Sequence, residues 1–152
     1  MRFVPPLLAV LLIPAFSAPR PCPLQEQREK HEKLETELAG RMEKIEHALK
    51  RLRKDLKDTN GYPAALAALA EIQEQSLVCK LLVPASAAER SESERGAFVT
   101  SYRRTMVDFL TRQLELEAAL LDQDAEAVKS AFERLRAMED SSHERFAPEE
   151  GD

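Results

Sequence analysis

Seven apolar residues near the start of the chain, Leu34, Leu38, Met42, Ile45, Leu49, Leu52 and Leu56, recur at spacings of 4-4-3-4-3-4. Such a spacing keeps every one of them on a single stripe of an α-helix, the seam by which one helix packs on others. Nothing that folds as strands can use this pattern, because a strand alternates faces every second residue. The stripe predicts a first helix over about 25–58.

The rest of the chain repeats the theme. Asn60-Gly61 supply a turn, and Pro63 suits the first turn of a second helix over about 63–82, ended by Pro84. Leu66, Leu69, Ile72, Ser76 and Cys79 fall on or near its inner face. A connection of small and charged residues, ASAAERSESERG, leads to a third helix over about 91–121, with Phe98, Tyr102, Met106 and Phe109 spaced 4-4-3 and Leu116 and Leu120 continuing the stripe. Asp124 is a candidate N-cap for a fourth helix over about 124–146, whose stripe is Val128, Ala131, Phe132, Leu135 and Met138. β-Branched residues are scarce and no strand pattern is found. The expected fold is all-α, an antiparallel up-down-up-down four-helix bundle spanning residues 34–146, with an acidic tail over 147–152.

Ahead of the bundle, residues 1–17 read as an export signal. Arg2 gives the positive start, Val4 to Phe16 a short apolar core, and Ala15 and Ser17 the small residues that precede cleavage before Ala18. The apolar run is too short and too proline-broken for a span of roughly 20 residues. Arg20 and Pro21 argue against a lipid anchor on Cys22. Residues 18–33 form a proline-rich tail and a charged helix start. An exported monomer that does not insert in the membrane is therefore expected. Its two cysteines permit one disulfide, Cys22–Cys79; a buried Cys79 with a loose Cys22 is the other possibility.

With 27 acidic and 22 basic side chains the net charge is −5, so a nucleic-acid partner is not expected. Four glycines form no phosphate loop, and no CxxCH is present to attach haem covalently. Neither a di-iron set of Glu-x-x-His motifs nor a nucleophilic serine in a strand-to-helix elbow is found, and an enzyme is not expected. Of three histidines, His31 and His47 read as solvent-facing. His143 differs in its level. It lies about 20 residues beyond the link between the third and fourth helices, and Met42 about 18 residues before the link between the first and second. At about 1.5 Å per residue both sit roughly 27–30 Å up an antiparallel bundle. A thioether and an imidazole at one height can clamp a haem iron from opposite sides. The same residues can also be a core filler and a helix-end cation that complements the dipole.

Three stretches carry a resemblance: LAGRMEKIEHALKRLRKDL, ALAALAEIQEQSLVCKLLVPAS and ERGAFVTSYRRTMVDFLTRQLELEAALLDQDAEAVKSAFERLRAMEDSSHERF. Together they resemble the soluble cytochrome b-562 family over about 34–146, most specifically in the M-E-x-I pattern of the first helix, the V-P-A exit from the second and the terminal H-x-x-F. The resemblance implies a periplasmic four-helix bundle that holds one non-covalent haem b for electron transfer. Met42 and His143 match the axial ligands. Ile72, Ser76, Cys79, Val83, Pro84, Phe98 and Tyr102 match pocket positions. Glu139 and Ser142 stand where a well-known member of the family carries an arginine and a tyrosine near the haem. The implied partner is a redox protein of unknown identity. The alternative is a haem-free periplasmic bundle that binds a partner protein or acts as a stress adaptor.

Overall fold

The structure, a computed structural model, describes residues 23–146. The predicted signal, Cys22 with its possible pairing to Cys79, and the acidic tail lie outside the described residues. Four helices make a helical bundle: α1 (Pro23–Asp55), α2 (Tyr62–Cys79), α3 (Glu92–Leu121) and α4 (Ala125–Phe146). Short 3-10 turns at Thr59–Gly61 and Ala85–Ala87 lie in the first two links. Among the described residues there is no strand, and no helix is long and apolar enough to cross a membrane.

The α1 stripe turns inward. Ile45, Ala48, Leu49 and Leu52 are buried, with Leu38, Met42 and Leu56 partly so. They meet Ala65, Leu69 and Ile72 of α2, Tyr102, Met106, Phe109 and Leu116 of α3, and Val128, Ala131 and Leu135 of α4 in one core. Each large aliphatic side chain fully buried there contributes about 1.5–3 kcal/mol. Specific polar pairs fix how the helices are set against each other. Arg41 donates to Gln75 Oε1 at 3.0 Å, and Arg51 pairs with Glu71. Between α2 and α3, Gln73 donates to Glu117 at 2.7 Å and Gln113 to Ser76 Oγ at 2.9 Å. Arg134 of α4 lies 3.6 Å from Glu115 of α3.

The links follow from local chemistry. Asp58 accepts from the Asn60 backbone N–H at 3.1 Å and caps the turn after α1. At Gly61 a side chain has no room: a Cβ there would fall 2.1 Å from the Asp55 carbonyl oxygen. Between α3 and α4, Gln123 takes a left-handed backbone (φ 56°), and the Asp124 N–H bonds back to the Ala119 carbonyl at 3.2 Å, a Schellman ending. Asp124 then caps α4 as its position predicts, accepting from Glu126 and Ala127 at 3.1 and 3.0 Å. α2 stops at Cys79, earlier than the expected 82. Its exit tightens into bonds from Leu81 to Val78 and Leu82 to Cys79, and Pro84 requires an extended residue before it.

Candidate functional site

α1 pairs closely with α2, α2 with α3 and α3 with α4, whereas α1 and α4 approach each other far less. Near the C-terminal end of α4 this leaves a cleft of about 600 Å³, its solvent mouth included, in the size range of small-molecule sites. One wall is α1, with Met42, Ile45 and Glu46; the floor is α3, with Tyr102, Thr105, Met106 and Phe109; the other wall is α4, with Glu139, Ser142, His143 and Phe146. Met42 is half-buried and His143 is exposed, so the thioether lies deeper than the imidazole.

The floor is held rigidly. The Tyr102 hydroxyl donates to the Cys79 carbonyl at 3.0 Å, tying α3 to the end of α2. Phe146 stacks edge-on against both Tyr102 and Phe98, ring centres 5.5 Å apart in each case. Its carbonyl accepts from Ser86 at 3.1 Å, which fastens the end of α4 to the link between α2 and α3. Ser142 bonds its own helix, donating to the Met138 carbonyl at 2.7 Å.

The electrostatics of the cleft are set by two carboxylates beside one imidazole. Burial pushes the Glu139 carboxyl above its ordinary range, and the charge of His143 acts in the opposite direction. Glu46, exposed at the cleft's edge, is held below its ordinary range by its hydrogen bond to Lys50. His143 stands close enough to influence both.

The cleft thus brings together Met42, Tyr102, Glu139, Ser142 and His143 of the sequence-derived site. The other positions lie elsewhere. Ile72, Ser76 and Cys79 are fully buried in the core and do not line the cleft. Burial pushes the Cys79 thiol up to about 11, so it is protonated and unreactive near neutral pH. Val83 and Pro84 sit in the link after α2, and Phe98 supports Phe146 from outside the lining. Ile45, Glu46, Thr105, Met106, Phe109 and Phe146 line the cleft without having been singled out as pocket residues. Phe146 was legible, since 139, 142–143 and 146 share a helix face. His47 is exposed, 3.7 Å from Glu43.

Whether haem suits these residues can be judged from the walls. The lining is mostly apolar and aromatic, a soft sulfur and an imidazole line the same space, and its mouth opens to water. The donor set is one that haem iron accepts. Among the described residues, no three His, Cys, Asp or Glu side chains gather to hold a bare metal ion. The one misfit is charge: Glu139 and Glu46 put anions near the mouth. No protein-family model and no curated protein matches the sequence.

Proposed function

We propose that this protein is an exported b-type electron-transfer cytochrome that binds one haem without covalent bonds between Met42 and His143. The reading carries with it an antiparallel up-down-up-down bundle. It is supported by the hydrogen-bond register, since partners on neighbouring helices run in opposite order, 41 with 75 and 51 with 71, then 73 with 117 and 76 with 113. The observation that carries the functional reading is that Met42 of α1 and His143 of α4 line one apolar cleft at the open seam of the bundle.

Each residue then has a task. Met42 and His143 would hold the iron of the bound group through a thioether and an imidazole. Ile45, Met106 and Phe109 would keep water from the bound group. Tyr102 and Phe146, each anchored by hydrogen bonding or stacking, keep the walls from shifting during electron transfer. Bound there, haem supplies an iron that alternates between the ferrous and ferric states. Thioether ligation raises the reduction potential relative to two histidines. A net charge of −5 steers toward a basic redox partner.

The test is a visible spectrum of purified protein titrated with haemin and then reduced. The expected result is a shifted Soret band and a sharp reduced α band, both altered in Met42→Ala and in His143→Ala. Met106→Leu serves as the control, because Met106 lines the same cleft but lies on α3. Its spectrum should match the unmodified protein. No Soret change on adding haem would refute the reading and leave a haem-free helical scaffold.

A further inference from the structure

A helix in a bundle needs one apolar stripe, turned inward. α3 has that stripe in Tyr102, Met106, Phe109, Gln113, Leu116 and Leu120. It also has a second, turned outward: Val107, Leu114 and Leu121, spaced by seven residues and 49, 57 and 65% exposed. Leu77 on α2 and Leu81 in the link just after it are 52 and 71% exposed. These five are the large apolar side chains left exposed among the described residues, and all lie on these two neighbouring helices or at the exit of α2. Single exposed leucines need no explanation, but a concentration on one face does.

The register shows that they form one face. The pairs Gln73–Glu117 and Ser76–Gln113 set the level of α2 against α3. By that register Leu77 stands level with Leu114, and Leu81 with Val107. Gln73 and Glu117, which meet across the groove between the helices, lie one turn from Leu77 and Leu114 along their own helices. The apolar strip therefore runs along the outside of the α2–α3 groove, on a different side of the bundle from the α1–α4 cleft.

We propose that this face is a self-association surface, on which α3 of one copy packs against α3 of a second copy, running in the opposite direction and centred on Leu114. Apolar residues seven apart return to nearly the same side of a helix, so these three make one line along which a second helix can lie. A two-fold axis at Leu114 brings Leu114 onto Leu114 of the second copy and Val107 onto Leu121 of the second copy, beside Leu81. Charge selects the occupant and its direction. Arg103 and Arg104 lie within about one turn of Val107 on α3, and Asp122 directly follows Leu121, all exposed. Antiparallel pairing sets these arginines of each copy within one turn of Asp122 of the other. Parallel pairing would oppose like charges. The surface is thus its own complement, and the protein is a dimer in place of the monomer that its sequence leads one to expect.

The test is sedimentation equilibrium of the purified protein over a range of concentrations, with or without haem, since this surface is separate from the cleft. A dimer mass that falls on dilution is expected. Leu114→Glu places two carboxylates on the axis and touches no core residue. It should give monomer at every concentration with an unchanged far-ultraviolet spectrum, and a urea midpoint equal to that of the unmodified protein diluted to monomer. Arg104→Glu should weaken the dimer at least tenfold, and Arg104→Glu with Asp122→Arg should restore it. In a Cys22→Ser background, Leu114→Cys should cross-link two copies on mild oxidation, Cys79 being buried. Protein that stays monomeric at millimolar concentration, a dimer indifferent to Leu114→Glu, or a monomer that instead binds anionic lipid vesicles through this face would each overturn the proposal.

Discussion

Truncating Ser76 should cost far more than truncating its partner. Gln113 is fully buried between α2 and α3; its Nε2 donates to Ser76 Oγ at 2.9 Å, and its Oε1 has no hydrogen-bond partner among the described residues. A neutral hydrogen bond contributes about 0.5–1.5 kcal/mol net, whereas a buried polar group left without a partner costs about 1–3 kcal/mol. Ser76→Ala removes the bond and orphans Nε2 as well as Oε1, so a loss of about 1–3 kcal/mol is expected. Gln113→Met removes the bond but also removes the unsatisfied oxygen, and it leaves a Ser76 hydroxyl that can turn to its own helix carbonyl four residues back. The two effects nearly cancel. The double variant loses one bond and relieves one unsatisfied group, and it should equal or exceed the unmodified protein by about 1 kcal/mol. Urea unfolding reads this as shifts in midpoint at constant slope. Additive losses in the double variant, or a neutral Ser76→Ala, would show that the pair is not dry and that the reasoning is wrong.

Three further outcomes follow from local geometry. Gly61→Ala must push its Cβ away from the Asp55 carbonyl, so the turn after α1 should open at a cost of about 1–3 kcal/mol, read as a lowered melting temperature. Gln123→Gly should stabilise by about 0.5 kcal/mol, because a left-handed non-glycine residue costs roughly 1–2 kcal/mol and glycine returns part of that as chain entropy. Burial raises the Glu139 carboxyl, so the folded protein holds that proton more tightly than the unfolded chain does. Its contribution is therefore favourable at low pH and lost as pH rises from the ordinary carboxylate value through the raised one. Glu139→Gln should consequently gain stability relative to the unmodified protein across that window; parallel stability–pH curves would contradict the assignment.

Whatever depends on spacing along one helix was legible in the sequence. The α1 stripe, the Asp124 cap and the Asn60-Gly61 turn are local features, and the structure has each of them. Height along the bundle was also legible, because rise per residue is fixed: Met42 and His143 line the same cleft. Which inward side chains face the cleft was not. Ser76 and Cys79, placed on the inner face of the second helix by their spacing, are buried as expected, but in the core, where Gln113 meets Ser76 and Tyr102 meets the Cys79 carbonyl, and neither lines the cleft. Those partners lie 37 and 23 residues away in sequence, which no periodicity encodes. Gln113 itself was a signal, a polar residue on the inner stripe of α3 between Phe109 and Leu116.

The polar pairs described above sew α1 to α2, α2 to α3 and α3 to α4, and the fourth seam is the one that stays parted. A bundle closed on three sides leaves its fourth seam open, and the cleft lies in that seam, lined by α1 and α4. A group seated in that seam would supply the contacts that α1 and α4 do not make with each other. Its binding would then add directly to folding stability, by about 2.7 kcal/mol at one hundred times its dissociation constant. The same logic explains why Phe146 is tied so firmly to Ser86, Phe98 and Tyr102. With little packing between α1 and α4, the last turn of α4 is held from the α2–α3 side, and that anchorage keeps His143 on the wall opposite Met42.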